Sequence, residues 1–222
     1  MFTGIVQGVG KVISLVEDED FKTITIQFPR DLLDNLCISY SVAINGCCLS
    51  VTKIEDDHIS FDIIDETLRL TNLKSLQPGT RINLERSATM STEVGGHFLS
   101  GHIIDVGYMK SVVNEERNCT MQIGINDKAL MKYIFYKGYV AIDGISLTIG
   151  DVFEDYFEIH LIPETLEKTT IMGHAVGDAV NIEVDSQTQI IVNTVERVLR
   201  EHYTNLPCLC QCNIKDEDED LI

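Results

Sequence analysis

The chain has 222 residues, 44% of them hydrophobic, and its 35 acidic residues outnumber 17 basic ones to give a net charge of −18. This charge repels phosphate backbones and anionic lipid, so neither nucleic acid nor a membrane surface is an expected partner. No apolar run approaches the ~20 residues of a membrane helix and no basic leader precedes the first glycines, which predicts a cytoplasmic protein.

The seven cysteines favour reduced thiols over a disulfide framework, because their number is odd and two are adjacent. Cys208, Cys210 and Cys212 lie close together but have no second cluster at zinc-like spacing, so no metal site is expected. They belong to residues 206–222, whose acidic run and lack of periodicity predict a disordered tail.

From its start the sequence repeats itself. FTGIVQGVG from Phe2 matches LSGHIIDVG from Leu99, 97 residues later. VAINGCCLSV from Val42 matches VAIDGISLTI from Val140, 98 residues later, and this register then holds without a gap to Glu183. One inserted residue separates the two registers. The repeat predicts one β-rich domain written twice.

Each copy consists of short segments rich in Val, Ile, Thr and Phe, several of which alternate, as in residues 58–64 and 156–162. Such segments predict strands, and the glycines between them mark turns at the spacing of a small closed barrel. Brief helices are predicted near residues 31–36 and 127–136, each opened by an Asp that can cap free backbone N–H groups.

After Asp185 the apolar residues change to helical spacing, which predicts a helix over residues 187–205. Its apolar face is wider than one small barrel needs to cover, so packing on other subunits and packing on its own barrel both remain open. The face comprises Ile190, Ile191, Val192, Val195, Val198 and Leu199. The predicted domains are barrels at 1–97 and 98–186, the helix at 187–205 and the tail at 206–222.

Small polar side chains recur at one place in the two copies. Ser146 and Thr148 share a face of their strand, and the repeat puts Cys48 and Ser50 at the same places in the first copy. Hydroxyl groups on strands usually lie at the surface and are hydrogen-bonded there without any functional role. Their recurrence in register favours a functional role.

Two histidines and one acid are further candidates. His97 and His102 are five residues apart and would face opposite ways on a continuous strand, which argues against a paired metal site. Either could carry a proton beside a ligand, or both could be hydrogen-bonded edge residues. Asp185 stands where the first copy has Ser87, so it either activates a hydroxyl in the second copy or caps the following helix.

Six motifs taken in order, MFTGIVQG, NGCCLSVT, GGHFLSGH, YKGYVAIDGISLT, HLIPETLEKTT and NIEVDSQTQ, closely resemble the riboflavin synthase family from residue 1 to about residue 202. The resemblance implies an all-β fold of two tandem six-stranded Greek-key β-barrels plus a C-terminal α-helix that joins three chains into a homotrimer. It also implies a site between the N-terminal barrel of one subunit and the C-terminal barrel of its neighbour.

The implied activity is that of a transferase in the last step of riboflavin biosynthesis. Two molecules of 6,7-dimethyl-8-ribityllumazine dismutate to riboflavin and 5-amino-6-(D-ribitylamino)uracil, with no metal or organic cofactor. Association with lumazine synthase is a further possibility. Because two copies of one substrate must be held face to face, two like barrels suit the reaction.

The resemblance also assigns site residues, one position at a time. The first pocket would be lined by Gly4, Ile5, Val6, Cys48, Leu49, Ser50, Asp62, Ile63, Ile64, Asp65, Glu66 and Thr67. The second would be lined by Gly101, His102, Ile103, Lys137, Ser146, Leu147, Thr148, Ile162, Pro163, Glu164, Thr165, Leu166 and Glu167. Proton handling and positioning fall to His102, Ser146, Thr148 and Asp185, with Cys48 and His97 contributing from the opposite barrel and Phe2 as a packing group.

Two other functions compete with the enzyme. One is a non-catalytic lumazine or flavin carrier, like the antenna proteins of luminous bacteria, which resemble this family but lack much of its polar site. The presence of Cys48, His102, Ser146, Thr148 and Asp185 favours catalysis. The other is a barrel that passes electrons through bound flavin, for which the sequence offers no separate nicotinamide-binding segment.

Overall fold

The computed structural model describes residues 1–18, 21–114 and 119–203. In these ranges the chain forms two closed antiparallel barrels of six strands each, followed by a helix. The first barrel comprises β1 (Gly8–Glu17), β2 (Phe21–Gln27), β3 (Ser41–Ile44), β4 (Cys47–Glu55), β5 (His58–Ile64) and β6 (Arg81–Arg86). The second comprises β7 (Asp105–Asn114), β8 (Cys119–Gly124), β9 (Tyr139–Ile142), β10 (Ile145–Val152), β11 (Tyr156–Leu161) and β12 (Ala179–Val184).

The two barrels have the same topology. Around the first barrel the strands follow the order 1-2-5-4-3-6, and around the second the order 7-8-11-10-9-12. Neighbouring strands that are not consecutive in sequence are the mark of Greek-key connections. The predicted fold class, two tandem six-stranded Greek-key barrels with a C-terminal helix, is therefore confirmed.

Strand pairing shows where the inserted residue lies. Gln27 pairs with His58 in the first barrel, and Gly124 pairs with Tyr156 in the second. The partners on β2 and β8 are thus 97 residues apart, whereas those on β5 and β11 are 98 apart. Because β3 and β9 begin at Ser41 and Tyr139, already 98 apart, the insertion falls in the connection from β8 to β9.

Each barrel encloses a core of its own. Ile24 and Phe61 are fully buried in the first core, and Ile123 and Phe157 in the second. Alternation along the strands places these side chains inside, and burying one of them stabilises the fold by about 1.5–3 kcal/mol.

The short helices differ from the prediction. Near residues 31–36 and 127–136 the chain forms 3-10 turns, Arg30–Leu32 and Lys128–Tyr133. Asp127 caps the second turn, since its Oδ1 accepts a hydrogen bond from Ala129 N at 3.0 Å. Asp31 lies inside the first turn, whose capping position is Pro29, so the predicted Asp cap there is wrong.

Two one-turn helices were not predicted. They are α1 (Asp65–Leu70) and α2 (Pro163–Lys168), each directly after the fifth strand of its barrel. Six residues are too few to show a helical period, which explains why the sequence pattern gave no signal. Residues 65–67 and 163–167 of these helices are predicted from the sequence only as pocket linings.

The last described element is the helix α3 (Ser186–Tyr203). Val192 is packed against the second core, whereas Ile190, Ile191, Val195, Val198 and Leu199 are between 42% and 65% exposed. The barrel of the same chain thus covers little of the apolar face. Within the described ranges, no helix has the length and apolar content needed to span a membrane. The predicted tail and its three cysteines lie outside the described residues.

The barrels touch at two equivalent turns. A Cβ atom on Gly46 would lie 2.6 Å from the backbone N of Gly144, and one on Gly144 would lie 2.8 Å from that of Gly46. Asn83 donates a side-chain hydrogen bond to the Asp143 carbonyl at 3.0 Å, and Asn181 donates one to the Asn45 carbonyl at 2.8 Å. Each copy therefore binds the turn of the other through a buried amide.

An ion pair between the buried Asp143 and the half-buried His174 lies beside these turns and has no counterpart in the first copy. The Oδ2 atom of Asp143 lies 2.8 Å from His174 Nε2, and its Oδ1 accepts hydrogen bonds from Asn72 and Asn181. Burial alone would lower the pKa of His174, but the hydrogen bond and charge of Asp143 outweigh it and raise the pKa. The first copy has Asn45 and Leu76 at the positions of Asp143 and His174.

This pair predicts a pH-dependent stability. Because the folded pKa of His174 is raised, its contribution is complete below the unfolded value of ~6.5 and is lost as pH rises through the folded pKa. His174→Leu is expected to cost about 1–3 kcal/mol at about pH 6, because Asp143 loses its cationic partner. Thermal unfolding at about pH 6 and pH 9 measures this.

The matched control is Asp143→Asn combined with His174→Leu, which recreates the pair of the first copy. This double variant should recover most of the lost stability and show less pH dependence than the wild type. An equal loss in single and double variants would contradict the account.

Candidate active sites at the crossing segments

The amino-terminal segment of each copy runs along the barrel of the other copy. Ser146 N donates a hydrogen bond to the carbonyl of Gly4 at 2.8 Å, and Cys48 N donates one to the carbonyl of Gly101 at 2.9 Å. We call residues 1–6 and 99–103 the crossing segments. They bring the start of one copy next to the strand of the other copy that carries the candidate residue, Cys48 on β4 or Ser146 on β10.

Apolar contacts follow the same exchange. Val6 packs against the core of the second barrel, and Ile103 packs against the core of the first. Phe2 and Leu99 pair with each other, their backbone N–H groups donating at 2.8 and 3.0 Å. They form a small buried cluster with Ala43 and Ala141, against which Cys48 packs.

The crossing corrects one predicted grouping. The segment from Gly4 was assigned to the pocket of Cys48, and the segment from Gly101 to the pocket of Ser146. The structure places each against the other reactive residue, so that grouping is wrong. The repeat shows which residues correspond, but it cannot show that the two segments change places.

A serine and a histidine lie together at the second barrel. His97 Nδ1 is 2.7 Å from Ser146 Oγ, and the His97 ring stacks on Tyr139 with centroids 5.1 Å apart. His97 is only 7% exposed, and its Nε2 has no hydrogen-bond partner among the described residues. Burial lowers the pKa of His97, and the charge of Asp185 partly opposes this. The imidazole is therefore neutral at pH 7, as proton acceptance requires.

Close backbone approach makes this arrangement possible. A Cβ atom on Gly4 would lie 2.5 Å from Ser146 Cβ, and one on Gly96 would lie 2.6 Å from the same atom. Only glycine leaves room at these two positions. Gly96 and Tyr139 were not predicted as site residues. The glycine pair before His97 could have indicated a close backbone approach, whereas Tyr139 aligns with Ser41, so the repeat gave no indication of it.

Asp185 caps α3. Its Oδ2 accepts hydrogen bonds from Thr188 N at 2.8 Å and from Thr188 Oγ1 at 2.7 Å. The carboxylate is also close enough to His97 to influence its pKa. The predicted helix cap is therefore confirmed, whereas activation of a hydroxyl group by Asp185 stays a prediction.

The first barrel presents a thiol in place of the serine. Cys48 is half-buried beside Gly101, and the exposed His102 follows directly, its N donating to Ser100 Oγ at 3.1 Å. His97, and not His102, is therefore the partner of Ser146. The predicted grouping of His102 with Ser146, and of His97 with Cys48, is wrong, because His97 lies against Ser146 and His102 follows Gly101, which binds Cys48.

The other predicted lining residues divide by exposure. The side chains of Leu49, Ile63 and Leu147 belong to the barrel cores. Lys137 is exposed, with a left-handed φ of 64°. The exposed or half-exposed residues are Ile5, Ser50, Asp62, Ile64, Asp65, Glu66, Thr67, Thr148, Ile162, Pro163, Glu164, Thr165, Leu166 and Glu167. Glu66 and Glu164 form ion pairs within α1 and α2, with Arg69 and Lys168, at 2.7 Å each.

Comparison with known proteins agrees with the duplicated fold. The model of the lumazine binding domain matches residues 3–87 and again 100–185. The chain is 50% identical over 209 residues to riboflavin synthase of Escherichia coli (strain K12), covering 93% of this chain and 98% of that protein. It is 38% identical over 199 residues to riboflavin synthase of Chlamydia pneumoniae, covering 90% and 97%.

Solved structures show the same likeness. LumP complexed with 6,7-dimethyl-8-(1'-D-ribityl) lumazine superposes with a TM-score of 0.76 at 28% identity, covering 84% of this chain and 100% of LumP. LumP complexed with riboflavin gives a TM-score of 0.77 at 29% identity, with the same coverage.

Proposed function

Because this chain belongs to the riboflavin synthase family and carries the lumazine binding domain twice, we propose that each of its barrels holds one substrate molecule. The protein is an enzyme of the riboflavin synthase type. It converts two molecules of 6,7-dimethyl-8-ribityllumazine into riboflavin and 5-amino-6-(D-ribitylamino)uracil by moving a four-carbon unit between them. Both substrates are identical, which suits two barrels of one topology.

The observation that carries the catalytic assignment is the 2.7 Å contact between His97 Nδ1 and Ser146 Oγ. The reaction needs a proton removed from the C7 methyl group of one lumazine and a hydroxyl group added to the other ring. Neutral His97 accepts the hydroxyl proton of Ser146, and this pair handles protons at the second barrel. Thr148 and Asp185 position the pair, while Cys48 and His102 contribute at the first barrel.

A site completed by a neighbouring subunit explains the exposed face of α3. Five apolar side chains of that helix are exposed in the single chain, and the described barrels cover little of it. Three chains joined through α3 bring the first barrel of one subunit to the second barrel of the next. Holding two reactants aligned in this way is worth up to ~7–11 kcal/mol of the barrier. Location in the cytoplasm and association with lumazine synthase stay predictions of the sequence.

The carrier function has one observation in its favour, the likeness to LumP structures that hold lumazine, riboflavin and flavin mononucleotide. Two observations weigh more. Identity to the E. coli synthase is 50%, against 28–29% to LumP. The neutral His97–Ser146 pair also supplies proton chemistry that a carrier does not need.

The test is to incubate the purified protein with 6,7-dimethyl-8-ribityllumazine and follow absorbance and product composition. We expect one riboflavin for every two lumazine molecules consumed. Tight lumazine binding without riboflavin formation would support the carrier and refute the enzyme.

A further inference from the structure

Two buried glutamates play no part in the chemistry above. Glu85 and Glu183 occupy equivalent positions on β6 and β12 and are 3% and 4% exposed. Burial raises the pKa of both carboxyl groups, although hydrogen bonds from the crossing segments oppose this. Placing a carboxyl group there destabilises the fold unless its oxygens are satisfied.

Glu85 receives three hydrogen bonds from one crossing segment. Its Oε1 accepts from Thr3 N at 2.6 Å and Thr3 Oγ1 at 2.8 Å, and its Oε2 accepts from Gly4 N at 3.0 Å. Glu183 repeats the pattern with Ser100 N at 2.7 Å, Ser100 Oγ at 2.8 Å and Gly101 N at 3.1 Å. Each carboxyl group thus grips two consecutive residues of the crossing segment that starts its own copy.

The gripped glycines lie directly against the reactive side chains. The carbonyl of Gly4 accepts from Ser146 N, and that of Gly101 accepts from Cys48 N. Both glycines have left-handed φ angles, 72° and 80°. A Cβ atom would lie 2.5 Å from Ser146 Cβ in one case and 2.6 Å from Cys48 Cβ in the other. Each segment therefore shields one side chain, Ser146 or Cys48, and a small shift of the segment changes how accessible that side chain is.

We propose that Glu85 and Glu183 are positioning residues that act across the two barrels. Glu85, of the first barrel, sets the geometry around Ser146 of the second. Glu183, of the second barrel, sets the geometry around Cys48 of the first. Each copy thereby shapes the reactive site of the other. The functional meaning of this assignment rests on the proposed synthase activity, whereas its geometry can be tested without turnover.

Glu85→Gln and Glu183→Gln test the assignment. Glutamine has one acceptor oxygen, so its NH₂ group must face a backbone N–H or a hydroxyl donor of the segment. The readout is the rate at which iodoacetamide alkylates Cys48, with the modified cysteine assigned by tandem mass spectrometry. Glu183→Gln should raise this rate several-fold by loosening Gly101, and Glu85→Gln should leave it unchanged.

Replacing Ser146 by cysteine, the residue of the first copy, provides the reciprocal reporter. In a Ser146→Cys background Glu85→Gln should raise alkylation at position 146, and Glu183→Gln should not. Cys119 is an internal control, because it is buried in the second core, where burial raises its pKa and no hydrogen bond among the described residues joins it to a crossing segment. Glu158→Gln, on the same barrel as Glu183 but outside the crossing segments, should change neither rate.

If the glutamine variants do not fold, Thr3→Val and Ser100→Ala are used in their place in the same measurements. Each removes one hydroxyl group that donates to Glu85 or Glu183. The crossed pattern supports the assignment. Equal exposure of both thiols in either variant, or no change in either, overturns it. Because alkylation needs no substrate, failure of the synthase activity would be seen separately.

Discussion

Ser146→Ala is expected to lower kcat by ~10²–10⁴-fold while leaving lumazine affinity nearly unchanged. The hydroxyl group is the only polar atom of Ser146 beyond the backbone, and it lies 2.7 Å from the imidazole of His97. Removing it would abolish the proposed proton path but leave the backbone hydrogen bond to Gly4 intact. Steady-state kinetics and equilibrium binding of the substrate separate the two effects.

His97→Ala should cause a similar loss, and the double variant should be little worse than either single variant, since residues that act as a unit are not additive. Ser111→Ala is the control, because that hydroxyl is bonded to Gln122 on the far strands of the same barrel. Retention of more than about a tenth of the turnover in Ser146→Ala would show that this pair is not the proton path.

If three chains associate through α3 as proposed, Ile191→Asp combined with Val195→Asp is expected to dissociate them and to remove nearly all activity. These side chains are 63% and 52% exposed in the single chain and lie one helical turn apart. Association through α3 would bury them, and burying unpaired carboxylates costs several kcal/mol each. Sedimentation or light scattering measures the mass of the particle, and lumazine turnover is measured on the same sample.

Asn193→Asp combined with Arg197→Asp is the matched control. It has the same spacing but lies ~200° around the helix from the first pair. This control should stay trimeric and active. If Ile191→Asp with Val195→Asp left both the particle mass and the turnover unchanged, α3 would not join the subunits.

The fold could be predicted because its signals are local or repeated. Alternation along β5 and β11 fixes which side chains enter each core, and the repeat makes each copy a check on the other. The helix α3 was visible because its apolar spacing runs over several turns. The short elements could not be predicted correctly. The helices α1 and α2 have only six residues each, and the first 3-10 turn begins after Pro29 and not after an Asp cap.

The candidate site was only partly predictable. The recurrence of Cys48 and Ser146 at equivalent positions predicts that both are candidate site residues, and the structure places each beside a crossing segment. Which histidine serves which strand depends on the path of the chain through space. That path is fixed by buried contacts far apart in sequence, such as Glu85 with Thr3, which no local pattern reveals.

We propose that each working site combines the first barrel of one chain with the second barrel of another. Ser146→Ala disables the second barrel, and Cys48→Ala with His102→Ala disables the first. The two variants can be co-expressed with different tags and purified through both. Each mixed trimer then has one intact pair of barrels among three, so turnover should recover to about a third of wild type. Mixed trimers no more active than their parents would contradict the account.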